Sequence, residues 1–315
     1  MRAALLKGLA GAAVAALPIV AAFALRPGSG ASSAAAAPAP AATTAAQRQT
    51  HSGFPTPPPG AVVFSRELGP DALALGVVPG RGRILVQASV LGSQGQGVTG
   101  LSVGFSIGGA VQSGAACGAG CYRATMRLAG RPPSVTVDVK GIRWTVTMPA
   151  AWPPQDGSAL VAGAARAWRA LRSLSYRERL ASSQDEIVSS TWRIEAPDRV
   201  AYEIVGGGGG VIVGGKRWDR TAGSTRWVES PQLPVTQPVP FWVSATDAHV
   251  LGTATVRGRP AWRVSFFDPG TPAWFDALID RATLRTLDLH MITTAHFMHD
   301  VYGSFDATSP VTPPR

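Results

Sequence analysis

The chain is 315 residues long, enough for two ordinary domains with cores of their own. It carries 29 Lys plus Arg against 19 Asp plus Glu, a net charge of +10 that invites a nucleic-acid partner. Only three of the bases are lysine, the arginines are scattered singly, and no basic helix or base-stacking strand accompanies them, so that partner is excluded. The milder implication is attraction to anionic lipid headgroups.

Arg2 and Lys7 precede an apolar run without a charge, residues 8–25, which Arg26-Pro27-Gly28 ends. Its length lies between a secretory hydrophobic region and a short membrane-spanning helix, and Ala22-Phe23-Ala24 offers an A-x-A cleavage site. Residues 1–26 therefore read as a signal peptide or a signal anchor. Under both readings the bulk of the chain is exported, held at the cell membrane by a single pass or secreted if the segment is cleaved. No cysteine near the run supplies a lipid anchor. Residues 27–57 are rich in Ala, Pro, Ser and Thr, bury too little apolar surface to order themselves, and read as a tether.

Between 58 and 150, short apolar or alternating runs at 72–78, 83–90, 100–107, 121–128, 134–139 and 142–148 are separated by Gly, Pro and Ser turns. No helical period lies between them, which predicts a β-sandwich. Cys117 and Cys121, the chain's two cysteines, stand four apart in a glycine-rich loop. In an exported chain this is a local disulfide, with a thiolate pair for Cu(I) as the alternative. Gly104-Phe105-Ser106-Ile107-Gly108 spells the G-x-S-x-G nucleophile elbow and is the one hint of a hydrolase. The elbow needs a helix directly after the strand, and residues 109–120 read as a glycine loop instead. The sequence of strand, Pro79-Gly80, strand, Cys121-Tyr122 and a closing strand with Trp144 resembles the immunoglobulin-like sandwiches of CopC-type and FixH-type proteins. It departs from CopC-type copper sites, because residues 58–150 hold no histidine and His51 lies in the tether.

Trp152-Pro153-Pro154 is a stiff junction, after which a second, separately folded unit is expected over 157–315. Asp156 or Ser158 caps a predicted helix running to about 173, with Leu160, Ala164, Trp168 and Leu171 on one face and Arg166, Arg169 and Arg172 on the other. Strands follow at 175–180 and 186–195. Val200, Tyr202 and Ile204 then alternate with polar or small residues, the five-glycine run 206–210 interrupts them, and Val211 and Val213 resume. Gly214-Gly215 supplies a hairpin turn into 216–220 and 225–228, which carry Trp218 and Trp227. Gly210, Gly215 and Lys216 imitate a phosphate loop, but Arg217 stands where the metal-binding hydroxyl belongs. Residues 231–240 are a proline-rich loop placed over the mouth of the sheet. Runs at 241–243, 248–251, 254–257 and 261–267 continue the sheet, and 274–279 forms a hairpin with 286 onward over Asp280-Arg281-Ala282-Thr283. Asp268, Asp276 and Asp280 read as structural turn residues.

The order Pro197-Asp198-Arg199, Tyr202, a strand ending in Gly-Gly, Trp218-Asp219-Arg220 and Trp227, with the turn Ile279-Asp280-x-x-Thr283, resembles the LolA/LppX-type lipoprotein carrier superfamily. It is similar too to the extracytoplasmic modules beside CopD-type copper transport proteins. The resemblance covers roughly the last half of the chain. It implies a curved antiparallel half-barrel packed on one main helix, so that the whole chain is mainly β and α+β overall. It also implies an apolar or lipid ligand between helix and sheet, a binding protein rather than an enzyme, and a copper-transport membrane protein as partner. On that reading Trp168, Leu171, Trp192, Tyr202 and Trp218 line the ligand site.

Residues 289–300 hold three of the five histidines and two of the five methionines. On one continuous strand His290, His296 and Met298 share a face, while Met291 and His299 share the other. Imidazole and thioether suit copper, which makes His290, His296 and Met298 the candidate metal ligands; the alternative is a core-facing strand with satisfied histidines. The functional expectation is an exported, membrane-anchored, non-enzymatic binding protein for a lipid or other apolar ligand, with a copper-binding accessory protein as the alternative.

Overall fold

A computed structural model describes residues 55–315 except 129, 183–185 and 295. The segment 1–26 and the tether up to residue 54, His51 included, lie outside the described residues.

The sandwich is built from two antiparallel sheets. One orders β1 (Val62–Leu68), β2 (Asp71–Gly80), β3 (Arg83–Leu91), β7 (Cys121–Arg127) and β6 (Ala115–Gly118) in that sequence. The other orders β5 (Ala110–Ser113), β4 (Val103–Ile107), β8 (Ser134–Val139) and β9 (Ile142–Thr147). Leu73, Leu75, Val77, Ile84, Val86, Phe105, Val135 and Val137 fill the space between them, the alternate residues of facing strands. Ser106 lies inside β4, with no helix after it. Residues 110–118 are two short exposed strands rather than a glycine loop, and β1 is a strand the sequence reading missed. Cys117 and Cys121 are bonded to each other with their Cα atoms 5.0 Å apart, tying β6 to β7.

After the junction comes α1 (Ser158–Arg169), which ends four residues before the predicted boundary. Gly157 occupies the cap position without a side-chain cap; Asp156 instead accepts hydrogen bonds from the Ser158 backbone N–H and hydroxyl. Twelve residues make a marginal helix alone, so its stability comes from the face that buries Val161, Ala164, Ala165 and Trp168. Trp168 Nε1 donates to Thr286 Oγ1 at 3.1 Å, pinning that face to the sheet below.

That sheet has eleven antiparallel strands: β10 (Ser173–Ala181), β11 (Ile187–Glu195), β12 (Arg199–Ile204), β13 (Gly209–Val213), β14 (Lys216–Arg220), β15 (Val228–Pro231), β16 (Thr246–Val256), β17 (Arg259–Asp268), β18 (Ala273–Asp280), β19 (Thr286–Thr293) and β20 (His296–Gly303). In space they run β15-β14-β13-β12-β11-β10-β20-β19-β18-β17-β16, an open sheet in which the chain meanders to one edge and restarts at the other. The stretch 241–243, predicted as a strand, is irregular, and the runs at 248–251 and 254–257 are one bulged strand, β16. Trp227 precedes β15 rather than lying in it.

The topology dictates the role of the proline-rich connection. Edge strands β15 and β16 are ten spacings apart, about 48 Å across a flat sheet, and the residues joining them reach about 50 Å fully extended. A relaxed connection therefore requires a sheet curved enough to bring its edges together. The connection lays Phe241 and Trp242 onto the helix side, where Phe241 meets Trp168 and Tyr176 while Trp242 meets Phe266 and Phe275.

The opposite side of the sheet packs on the sandwich. Val63, Ala72 and Ala74 on the outer face of β1 and β2, with Ala61 just before β1, share a buried cluster with Ala181, Phe267, Trp274, Ile292 and Phe297. This explains why β2 is buried along both faces and reads as a continuous apolar run. Arg179 of β10 reaches Glu67 of β1 at 2.9 Å beside this cluster.

Candidate functional site

Strand pairing places Tyr176, Trp192 and Tyr202 side by side across β10, β11 and β12, and Tyr302 beside Tyr176 on β20. Their rings form a continuous layer: Trp192 lies 4.7 Å from Tyr202 and 5.8 Å from Tyr176, and Tyr176 lies 5.2 Å from Tyr302. Trp168 descends from the helix to meet Tyr302 edge-on at 5.1 Å. Gly210 faces Tyr202 across β12 and β13, and a Cβ there would enter the Tyr202 ring; absence of a side chain makes room for the aromatic layer to extend. Arg217 donates to the Tyr202 hydroxyl at 3.2 Å and pairs with Asp219, giving the layer a polar end.

Within this layer two carboxyl groups face each other, because Glu178 and Asp300 are cross-strand partners. Ser190 and Trp192 Nε1 both donate to Glu178 Oε2, at 2.8 and 2.9 Å. Tyr302 donates to Asp300 Oδ2 at 2.6 Å. Burial raises the Glu178 carboxyl above its ordinary value, against the pull of those two hydrogen bonds. Burial, followed by the nearby Glu178 charge, pushes the fully buried Asp300 carboxyl well up. Asp300 Oδ1 and the Tyr176 hydroxyl are buried without a hydrogen-bond partner among the described residues. Two unmet polar atoms in one aromatic layer are a departure that calls for an explanation, since buried polar groups are as a rule hydrogen-bonded.

Of the residues assigned to an apolar site from the sequence, Trp168, Trp192 and Tyr202 belong to this layer, and Leu171 is buried just beyond the helix end. Trp218 does not. It pairs with Val211, which pairs with Ala201, and packs with them and Val311 on the face away from the helix. Arg217 and Asp219 take the helix-side positions instead, since side chains alternate along a strand. Glu178, Asp300 and Tyr176 were missed, although each is legible as a residue on the buried parity of its strand, the two acids being charges among apolar neighbours.

The expected metal set is divided by a turn. Thr293 pairs with His296 across a hairpin, so the chain reverses and strand parity restarts. His296 and Met298 lie with Met291 on the helix side, and burial pushes the His296 imidazole down to about 4. His290 lies on the sandwich side beside His299, its cross-strand partner, and Asp288. Asp280 is structural as read: it accepts from the Ala282 and Thr283 backbone and from the Thr283 hydroxyl, and pairs with Arg259. Asp268 likewise accepts from the backbone of Val243, Ser244 and Gly270.

No protein-family model matches the sequence, and no curated protein matches it. Among solved structures the chain is similar to LprF from Mycobacterium bovis, at 9% identity over 51% of this chain and 98% of that one, with a TM-score of 0.38. It is similar also to the lipoprotein LppX from Mycobacterium tuberculosis, at 13% identity over 49% and 97%, TM-score 0.38. A LolA superfamily protein from Nitrosomonas europaea aligns at 8% identity over 50% and 95%, TM-score 0.24. These likenesses span about half of this chain and transfer no ligand, partner or activity.

Proposed function

We propose that the chain is a non-catalytic binding protein that takes a lipid or other apolar ligand between α1 and the helix side of the eleven-stranded sheet. The observation that carries this reading is the way that side is covered. A continuous aromatic layer is roofed by one 12-residue helix, whose lead-in makes a single bridge to β16, and by an irregular connection; neither is itself a strand of the sheet. Such a roof can lift without breaking a strand ladder, and the layer beneath presents the apolar body and few convergent polar groups that ligand sites share. The unpartnered Tyr176 hydroxyl and Asp300 oxygen would meet a hydroxyl or amine of the ligand. The N-terminal apolar run supports export, with the membrane as the place of work and the copper-transport context of the sequence resemblance as a further setting.

Tryptophan fluorescence of the full chain titrated with oleate and with phosphatidylglycerol tests the reading. We expect a saturable change that Trp168→Phe and Trp192→Phe each diminish and that Trp218→Phe leaves intact. Absence of a saturable response to either ligand, together with no co-purifying lipid in native mass spectra, would overturn it.

A further inference from the structure

We propose that Asp288, His290 and His299 form a binding site for a divalent transition metal of the Zn²⁺ or Cu²⁺ class on the sandwich side of the sheet. The site is independent of the apolar-ligand reading and lies on the opposite face.

The hairpin of β19 and β20 builds it. His290 and His299 are directly opposed in the ladder, their rings 3.9 Å apart and 13° from parallel. Asp288 stands two residues before His290 and therefore on the same face. Its carboxylate spans the pair: Oδ1 lies 3.5 Å from His290 Nε2 and Oδ2 lies 3.0 Å from His299 Nε2. The three ligand atoms all lie within 4.8 Å of one another. Ligands about 2.0 to 2.2 Å from a tetrahedral ion sit about 3.4 Å apart, so small side-chain rotations close the set on a metal.

Arg177, on β10 opposite Val301, is the exposed charge nearest this set on that face, and two other neighbouring charges are already engaged. Asp276, opposite His290 on β18, is held by Arg263, and Arg179, opposite His299 on β10, is held by Glu67. That leaves the Asp288 carboxylate directed at the two imidazoles. The His290 side chain is 51% exposed, which gives an ion a way in and water a place in the remaining coordination positions. Two imidazoles and a carboxylate suit Zn²⁺ or Cu²⁺. They do not suit Cu(I), because the thioethers of Met291 and Met298 point to the other face.

Calorimetric titration of the tag-free full chain with Zn²⁺ is the test. We expect one equivalent to bind, and His290→Ala, His299→Ala and Asp288→Asn each to weaken it by about tenfold or more, while Met298→Leu leaves it unchanged. Electron paramagnetic resonance of Cu²⁺ added to the unmutated chain reads the site without any variant and should show two nitrogen ligands. Failure of Zn²⁺ to saturate at one equivalent, histidine variants that bind like the parent, or a Cu²⁺ spectrum without paired nitrogens would each overturn the proposal.

Discussion

Asp300 is fully buried with one oxygen bonded to Tyr302 and the other unmatched, so its charged form is the costly one. Its folded pKa stands well above the ordinary 3.8 because of burial, and Glu178 across the ladder is raised by burial as well. A raised carboxyl binds more protons in the folded chain than in the unfolded one. Its contribution is therefore fully favourable below the unfolded value and is lost as pH rises through the folded one. Asp300→Asn keeps the shape and still accepts from Tyr302 while removing the titration. Denaturant unfolding at pH 5 and at pH 8 should show the wild type losing stability relative to this variant as pH rises, and Glu178→Gln should act in the same direction. A wild type that gained relative to both would show that the pair is held ionised.

At the scale of the element, Gly210 shows how one missing side chain sets a neighbour. Its partner Tyr202 lies over it and stacks on Trp192, so Gly210→Ala must push the ring aside or move β13. Overpacking of this kind costs about 1 to 3 kcal/mol, which chemical denaturation would measure, with near-ultraviolet circular dichroism reporting the lost Tyr202–Trp192 stack. The period-2 alternation of Val200, Tyr202 and Ile204 made the strand readable from the sequence, as did the alternation in most sandwich strands. The face assignment of Trp218 was not readable in the same way, because it depends on the register through the glycine run, and glycines carry no apolar signal to fix a register. The turn after Thr293 was hidden for a related reason: Thr294 and its neighbours lack Gly or Pro, so residues 289–300 looked like one strand and the histidines were sorted by the wrong parity. The helix was found because Trp168 completes an apolar stripe, while its end was misplaced since Leu171 continues the stripe into the connection.

From residue 55 onward the chain is joined by more than the proline junction at 152–154, after which the sequence led us to expect a second, separately folded unit. The described residues form one compact unit, and its two layers share Ala61, Val63, Ala72 and Ala74 on one side with Phe267, Trp274, Ile292 and Phe297 on the other. Small side chains on the sandwich let the large rings of the sheet seat closely, so separating the layers would expose Trp274, Phe297 and the outer face of β2, Ala72 and Ala74. Exposed apolar area on that scale is unfavourable enough to couple the two unfolding steps. Differential scanning calorimetry should therefore show one transition for this part of the chain. Truncating a fully buried tryptophan costs about 3 to 5 kcal/mol, and for a unit of this size Trp274→Ala should lower the transition by roughly 6 to 20 °C. The informative outcome is its shape: because Trp274 belongs to the sheet but packs against the sandwich, the variant should either shift the whole transition or split it with the sheet melting first. A variant in which the sandwich alone melted earlier, or a wild type with two resolved transitions, would show that the shared cluster does not couple the layers.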